Sequence, residues 1–151
     1  MDSTALPFLT VAELAQLIQQ REVSPVAVVQ AYLDRIDQVD SKLNSYITVC
    51  RDEALEEARL AEEAISAGNY LGPMHGIPVS VKDQMKTKGI LTTCGSKILE
   101  DYVPDEDATV IANLKRSGAI LLGKNNMSGF AMGDGSDAPY GVPRNPWSLE
   151  H

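Results

Sequence analysis

Lys82 closes a short apolar stretch, "IPVSVK", that is bounded by glycine and proline. A lysine is costly to bury because its ammonium group loses its hydration. Alternate side chains of a β-strand share a face, so Lys82 would lie on the same face as Pro78 and Ser80. Ligands bind at the carboxyl ends of strands in open α/β sheets, and desolvation there lowers the pKa of an amine until it can act as a general base. Lys82 is therefore the first candidate for a catalytic residue.

A structural explanation of Lys82 stays open beside the catalytic one. Its aliphatic stem would pack on the sheet while its ammonium reaches water or pairs with the adjacent Asp83. No serine in the same stretch has an arrangement that would activate it as a nucleophile. The residue pattern does not decide between the two interpretations.

Two other patterns carry less weight. The segment "GAILLGKN" has the spacing of a phosphate-binding loop, but Asn125 stands where Ser or Thr would hold a magnesium ion. Its four intervening apolar residues are typical of a strand and not of a loop whose N–H groups converge on an anion. A thiol hydrolase that pairs Cys94 with His75 is conceivable. A small buried cysteine and a structural histidine beside a turn are the simpler interpretation.

Composition limits the classes of function. The chain has 151 residues, of which 44% are hydrophobic and 23% charged, as in a soluble globular protein. Its net charge of −8 argues against nucleic-acid binding, and neither a signal peptide nor an apolar run of membrane-spanning length is present. Cys50 and Cys94 lack disulfide or metal-ligand spacing, and His75 is the only internal histidine. We therefore expect a cytoplasmic protein without a metal centre.

Residues 10–67 have the pattern of helices. Thr10 and Glu13 form a capping box before the first helix. The segment "SPVAVVQAYLDRIDQVD" begins a second helix with proline at its first position, and "RDEALEEARLAEEAISAG" forms a third that closes at Gly68. Between them, "SYITVC" is a short β-branched stretch whose type the sequence does not settle.

The remaining residues predict an α/β arrangement. The segment "IPVSV" reads as a buried strand, "PDEDATVIANLKRSG" as a helix with Val110, Ile111 and Leu114 toward the core, and "AILLG" as a second strand. A parallel layer of two strands is too small to stand alone, so we expect a fragment of a larger domain. The predicted organisation is a helical region over residues 1–69 and the first part of an α/β core over residues 70–151.

Four segments in order and spacing resemble the N-terminal part of the amidase signature family. They are "GPMHGIPVSVKD", "TKGILTTCGSKIL", "VPDEDATVIANLKRSGAILLGKNNMSGFAMG" and "NPW". The resemblance implies a mixed sheet flanked by helices, no cofactor, and amide hydrolysis by a Ser–cis-Ser–Lys triad. It assigns the lysine of that triad to Lys82, which as a neutral amine would take a proton through a bridging serine from the nucleophilic serine.

Both triad serines of the family follow "NPW" in a Gly/Ser-rich stretch that this chain does not contain. The resemblance therefore gives no triad role to Ser128, Ser136 or Ser148. We expect the chain to be truncated before that stretch and to be inactive by itself.

The segment "FAMGDG" resembles a loop that lines the acyl pocket in the family. On this resemblance Met132 and Gly133 are substrate-binding residues. Gly129 departs from the family pattern, in which an acidic residue often precedes the phenylalanine, and this leaves the local loop geometry and the substrate preference open.

The resemblance implies that the intact parent hydrolyses the carbon–nitrogen bond of a small-molecule carboxamide. One alternative is the A subunit of a tRNA-dependent Asp/Glu amidotransferase, which would work with B and C subunits. A second is a non-catalytic remnant or interaction module. Expected partners are the amide substrate, the B and C subunits or a second copy of the chain in a homodimer, with no direct nucleic-acid contact and no membrane.

Overall fold

The structure is a computed structural model, and it describes residues 2–132 and 138–150. The α-helices are α1 (Val11–Gln19), α2 (Pro25–Leu43), α3 (Arg51–Ser66) and α4 (Thr109–Arg116). The strands are β1 (Tyr46–Val49), β2 (Pro78–Lys82) and β3 (Ile120–Asn125). Short 3₁₀ turns lie at Ser3–Phe8, Lys97–Leu99 and Gly129–Ala131. None of the described helices is long and apolar enough to cross a bilayer.

Local sequence signals set the helix ends as expected. The Thr10 hydroxyl accepts a hydrogen bond from the Glu13 backbone N–H, and the Glu13 carboxylate accepts one from the Thr10 N–H, which confirms the capping box. Helix α2 begins at its proline, one residue after Ser24, whose hydroxyl accepts from the Ala27 N–H. Helix α3 ends just before Gly68, which has a φ of +89° and so turns the chain away.

The three strands form one sheet in the order β1-β3-β2. Strand β1, the stretch whose type the sequence left open, runs antiparallel to β3, with Tyr46 opposite Asn125 and Val49 opposite Gly123. The antiparallel pairing places β1 at the edge of β3 away from β2.

Strands β2 and β3 run parallel. The Ile120 N–H donates to the Ile77 carbonyl before β2, and the Asp83 N–H donates to the Asn125 carbonyl after it. Both partners advance in the same direction along their strands, as in a parallel pair. The sheet is therefore mixed, and the predicted strand–helix–strand order is confirmed.

Helix α4 departs from the expected core face. Ile111 is buried and Leu114 is half-buried, but Val110 is 46% exposed, so its predicted core position is wrong. Val110 is the second residue of α4, and Ile111 is the buried residue of this eight-residue helix.

The chain divides into two compact units. Unit 1 comprises residues 1–38, 50–79 and 113–122, and unit 2 comprises residues 39–49, 80–112 and 123–151. The largest apolar cluster lies in unit 1, and its buried members are Leu6, Leu14, Ala15, Ile18, Val28, Ala31, Ile65 and Ile77. The boundary expected between residues 69 and 70 concerns where the α/β core begins, and it stays a prediction.

Candidate functional site

Lys82 is the last residue of β2, and its side chain is exposed. Exposure alternates along the strand, since Ser80 and Lys82 are open to solvent while Val79 and Val81 are half-buried. The desolvation expected at this strand end is thus not supplied by the described residues. The Lys82 carbonyl accepts a hydrogen bond from the Met85 N–H at 2.9 Å, so a tight turn follows the strand directly.

The next residue, Asp83, is completely buried. One of its carboxylate oxygens, Oδ2, accepts from the Thr93 N–H at 2.8 Å and from the Thr93 hydroxyl at 2.6 Å. Thr93 is also fully buried, and its Oγ1 accepts from the Gly95 N–H at 3.1 Å. Asp83 therefore ties the end of β2 to the loop at residues 93–95.

The buried lysine of this region is Lys124, near the end of β3. Its Nζ donates to the Thr92 hydroxyl at 2.7 Å and to the Met85 carbonyl at 2.9 Å, and it lies 3.5 Å from Oδ1 of Asp83. The Asp83 carboxylate thus lies against Lys124, where one interpretation of the sequence paired it with Lys82. The ion pair leaves both charges compensated inside the protein.

Lys124 is not among the site residues predicted from the sequence, where it occurs only in the segment rejected as a phosphate-binding loop. The rejection is confirmed, since residues 120–125 form β3 and the first five of them are buried. The signal in the sequence is the position of Lys124 directly after the apolar run "AILLG", which is typical of a strand that is buried on both faces. A lysine in a strand that is covered on both faces must find an acceptor, because charged side chains are almost never fully buried unless paired.

The other two nucleophile and base candidates have structural surroundings. His75 is buried in unit 1, where its Nδ1 accepts from the Leu71 N–H and its ring stacks on Tyr70. Burial lowers the pKa of His75 below its ordinary value. Cys94 belongs to unit 2, and burial together with the Asp83 charge raises the pKa of its thiol, although Lys124 opposes this. A raised thiol pKa disfavours the thiolate that nucleophilic catalysis needs.

The loop after β3 holds the remaining predicted site residues. Phe130 and Ala131 both have positive φ, at 50° and 58°, and the Phe130 N–H donates to the Cys94 carbonyl at 2.8 Å. Met132 follows with its side chain exposed, and its role in substrate binding stays a prediction. Gly133 and Ser136 lie outside the described residues.

A side chain at position 129 has room in this loop. A Cβ added to Gly129 would lie 3.6 Å from the Gly95 carbonyl oxygen, which is an ordinary van der Waals distance. The glycine is therefore not required by a close backbone contact. The departure from the family pattern at this position does not force a different loop geometry.

No group of three or more His, Cys, Asp or Glu side chains with metal-binding geometry occurs among residues 2–132 and 138–150. Asp83 Oδ2, Thr93 and Lys124 make hydrogen bonds in the buried region beside Lys82, whereas Asp83 Oδ1 makes no hydrogen bond and lies 3.5 Å from the Lys124 ammonium. The arrangement presents one exposed amine on a backbone that buried polar contacts hold in place.

Comparison with known proteins identifies the family of the chain. The amidase family model matches residues 27–151. The A subunit of glutamyl-tRNA(Gln) amidotransferase from Carboxydothermus hydrogenoformans is 46% identical over 146 residues, which cover 96% of this chain and 30% of the subunit. The corresponding subunit from Geobacter sp. (strain M21) is 49% identical over 142 residues, which cover 93% of this chain and 29% of the subunit.

Solved structures show the same fold. The peptide amidase from Stenotrophomonas maltophilia superposes with a TM-score of 0.86 and 34% identity, over 93% of this chain and 30% of the peptide amidase. A bacterial aryl acylamidase of the amidase signature family superposes with a TM-score of 0.86 and 29% identity. The chain spans about 30% of the length of these relatives. Because the family model covers well over half of its residues, the chain belongs to the amidase signature family.

Proposed function

We propose that this chain is the segment of an amidase that carries the catalytic lysine, and that the whole protein hydrolyses the carbon–nitrogen bond of a carboxamide. The observation that supports the proposal is the position of Lys82. Its amine is exposed at the carboxyl end of β2, while Asp83 beside it is buried and hydrogen-bonded. An accessible base on a fixed backbone is what proton transfer to a reacting group requires.

The reaction follows from the triad that the family resemblance implies. The nucleophilic serine oxygen bonds to the amide carbon, its proton passes to the bridging serine, and that serine passes its own proton to the neutral amine of Lys82. The carbon–nitrogen bond then breaks as the leaving nitrogen takes up a proton returned from Lys82. Water hydrolyses the acyl ester by the same proton route. Lys82 is thus the one triad member that this chain supplies.

The 151-residue chain by itself is proposed to be inactive. Ser128 and Ser148 do not occupy the family's serine positions, and Ser148 lies in a turn in which its N–H donates to the Asn145 carbonyl. Without a nucleophilic serine no acyl ester forms.

The test uses the full-length product of the source gene and follows ammonia release from simple carboxamides. Replacing Lys82 with methionine keeps the length of the side chain and removes the base, so we expect kcat to fall by about 10³-fold or more. Lys88→Met is the matched control, because Lys88 is an exposed lysine of the same unit whose ammonium makes no ion pair among the described residues. Full activity of Lys82→Met, or turnover by the 151-residue chain that disappears in Lys82→Ala, would contradict the proposal.

A second candidate function is the glutaminase activity of an amidotransferase A subunit. It is favoured by the identity to the two A subunits, which exceeds the identity to the two amidases named above. The amide would then be glutamine, and B and C subunits would be partners. Co-expression with a B subunit tests this alternative, with co-purification and partner-dependent glutaminase activity as the expected result. Equal ammonia release with and without the partner would favour the free amidase.

A further inference from the structure

The Lys124–Asp83 pair is unusual because a same-sized apolar pair would fill its space at lower desolvation cost. Both side chains are fully buried, and the lysine arises from a strand whose other buried residues are apolar or glycine. Breaking a buried pair is far more costly than never having one. The contacts of the pair therefore indicate what it does.

The contacts of Lys124 and Asp83 hold the backbone on the C-terminal side of Lys82. The Lys124 ammonium binds the Met85 carbonyl, and the Met85 N–H binds the Lys82 carbonyl, so the ammonium closes the turn that begins at Lys82. The Asp83 N–H continues the pairing of β2 with β3 by donating to the Asn125 carbonyl. Asp83 and Met85, which follow Lys82 in the chain, are thus both hydrogen-bonded to residues of β3.

The positive charge of Lys124 compensates the negative charge of the buried Asp83 carboxylate. The Lys124 ammonium donates to the Met85 carbonyl and the Thr92 hydroxyl, and it faces Oδ1 of Asp83 at 3.5 Å as an ion pair without a hydrogen bond. A neutral side chain of the same length would leave the Asp83 carboxylate without its counter-charge, and the Met85 carbonyl would keep the Thr87 hydroxyl as a donor but lose the ammonium. An uncompensated carboxylate in the interior would draw in water or move outward.

We infer that Lys124 is a positioning residue for Lys82, acting through the turn at residues 82–85. The inference rests on the proposed function in so far as Lys82 is the base. Lys124 does not touch the reacting atoms in this role. It fixes the direction in which the Lys82 side chain leaves the sheet, and a misplacement of about 1 Å at a catalytic group is enough to cost about 100-fold in rate.

The test compares Lys124→Met, Thr92→Val and the control Lys88→Met in the full-length protein. In Lys124→Met we expect kcat for amide hydrolysis to fall by about 100-fold while KM stays within about threefold, since the lost interaction concerns chemistry and not substrate binding. Thr92→Val keeps the side-chain shape and removes the hydroxyl that accepts from Lys124 and donates to the Ile90 carbonyl. Its effect should have the same direction and be about tenfold, so it carries the test if Lys124→Met does not fold.

Amide hydrogen exchange gives a readout that does not depend on activity. Exchange at Asp83 and Met85 should be about tenfold faster in Thr92→Val or Lys124→Met than in the parent, while exchange in α1, in the other unit, stays within about threefold. Uniform acceleration across both regions would show a merely structural role and overturn the inference. Unchanged exchange at Asp83 and Met85, or an unchanged kcat in a folded Lys124→Met, would overturn it as well.

The two readouts separate this inference from the function proposed for the protein. If the parent releases no ammonia from any amide, the proposed function fails, and the exchange rates still decide whether Lys124 holds the turn. If the parent is active and Lys82→Met is not, the function stands whatever Lys124→Met does.

Discussion

At the scale of single residues, two lysines at the ends of neighbouring strands have opposite surroundings. Lys82 is exposed at the end of β2, where a reacting group can reach its side chain. Lys124 is enclosed by oxygen atoms and paired with Asp83, and removing one partner of such a pair costs about 3–5 kcal/mol. The exposed lysine suits chemistry, and the buried one suits structure.

The loop beside the Lys124–Asp83 pair is tightly packed at Gly95. Gly95 has a φ of +67°, and an added Cβ would lie 2.4 Å from the Met127 carbonyl oxygen. We expect Gly95→Ala to lower the free energy of unfolding by about 3 kcal/mol, from backbone strain and overpacking together. Urea unfolding followed by circular dichroism measures it.

Gly89→Ala is the matched control for this prediction. Gly89 has a similar φ of +76°, but a Cβ there would meet nothing within 4 Å. Its replacement should cost only the strain of about 1 kcal/mol. Equal losses in the two variants would show that the close contact at Gly95 does not matter.

At the scale of elements, the segment that leads into β2 is held as firmly as the turn that follows it. The Gly76 N–H donates to the Gly118 carbonyl, and the Ile120 N–H donates to the Ile77 carbonyl, so the chain pairs with the start of β3 before β2 begins. His75 lies directly before Gly76 in this segment, and its Nδ1 accepts a hydrogen bond from the Leu71 N–H. The strand that carries Lys82 is thus fixed at both ends.

The buried His75 makes the folding stability of the segment before β2 sensitive to acid. Burial lowers its pKa from the ordinary 6.5, so on acidification the unfolded chain takes up a proton before the folded chain does. This contribution to stability is full above the unfolded pKa and is lost as the pH falls toward the lower folded value. We expect the free energy of unfolding to fall from about pH 7.5 to about pH 5.5 by more in the parent than in His75→Gln.

Urea unfolding at the two pH values measures the difference. The other titratable groups are the same in both proteins, so their contributions cancel in the comparison. An equal loss in parent and variant would contradict the assignment of this acid sensitivity to His75.

At the scale of the whole molecule, the chain corresponds to about 30% of the length of its relatives and has many apolar side chains in solvent. In unit 2, Trp147 is 94% exposed, with Val142 and Leu149 exposed nearby in the sequence. Large apolar side chains in solvent favour association with other protein surfaces.

The 151-residue chain should therefore self-associate in solution. We expect its mass by light scattering to rise with concentration, and Trp147→Gln to reduce this rise because it removes the most exposed large apolar side chain. Leu60→Gln is the control, since Leu60 is an exposed apolar residue of α3 in unit 1. A folded monomer at all concentrations would contradict the prediction.

Local signals in the sequence were sufficient for the helix caps, the strand–helix–strand order and the family. Thr10 with Glu13, Pro25, Gly68 and the alternation up to Lys82 act over a few residues, and neighbouring residues reveal them. The choice between helix and strand at residues 46–49 was beyond such signals, because β1 forms by pairing with β3.

The sequence by itself determined where Lys82 stands, at the end of a strand in an amidase motif. Only the tertiary structure decided that Lys124 is the buried lysine and that Asp83 belongs to it. The physical reason is distance along the chain, since the oxygens that bind the Lys124 ammonium come from residues 39 and 32 positions away. Charge compensation in a protein interior depends on which segments the fold brings together, and no local pattern records that.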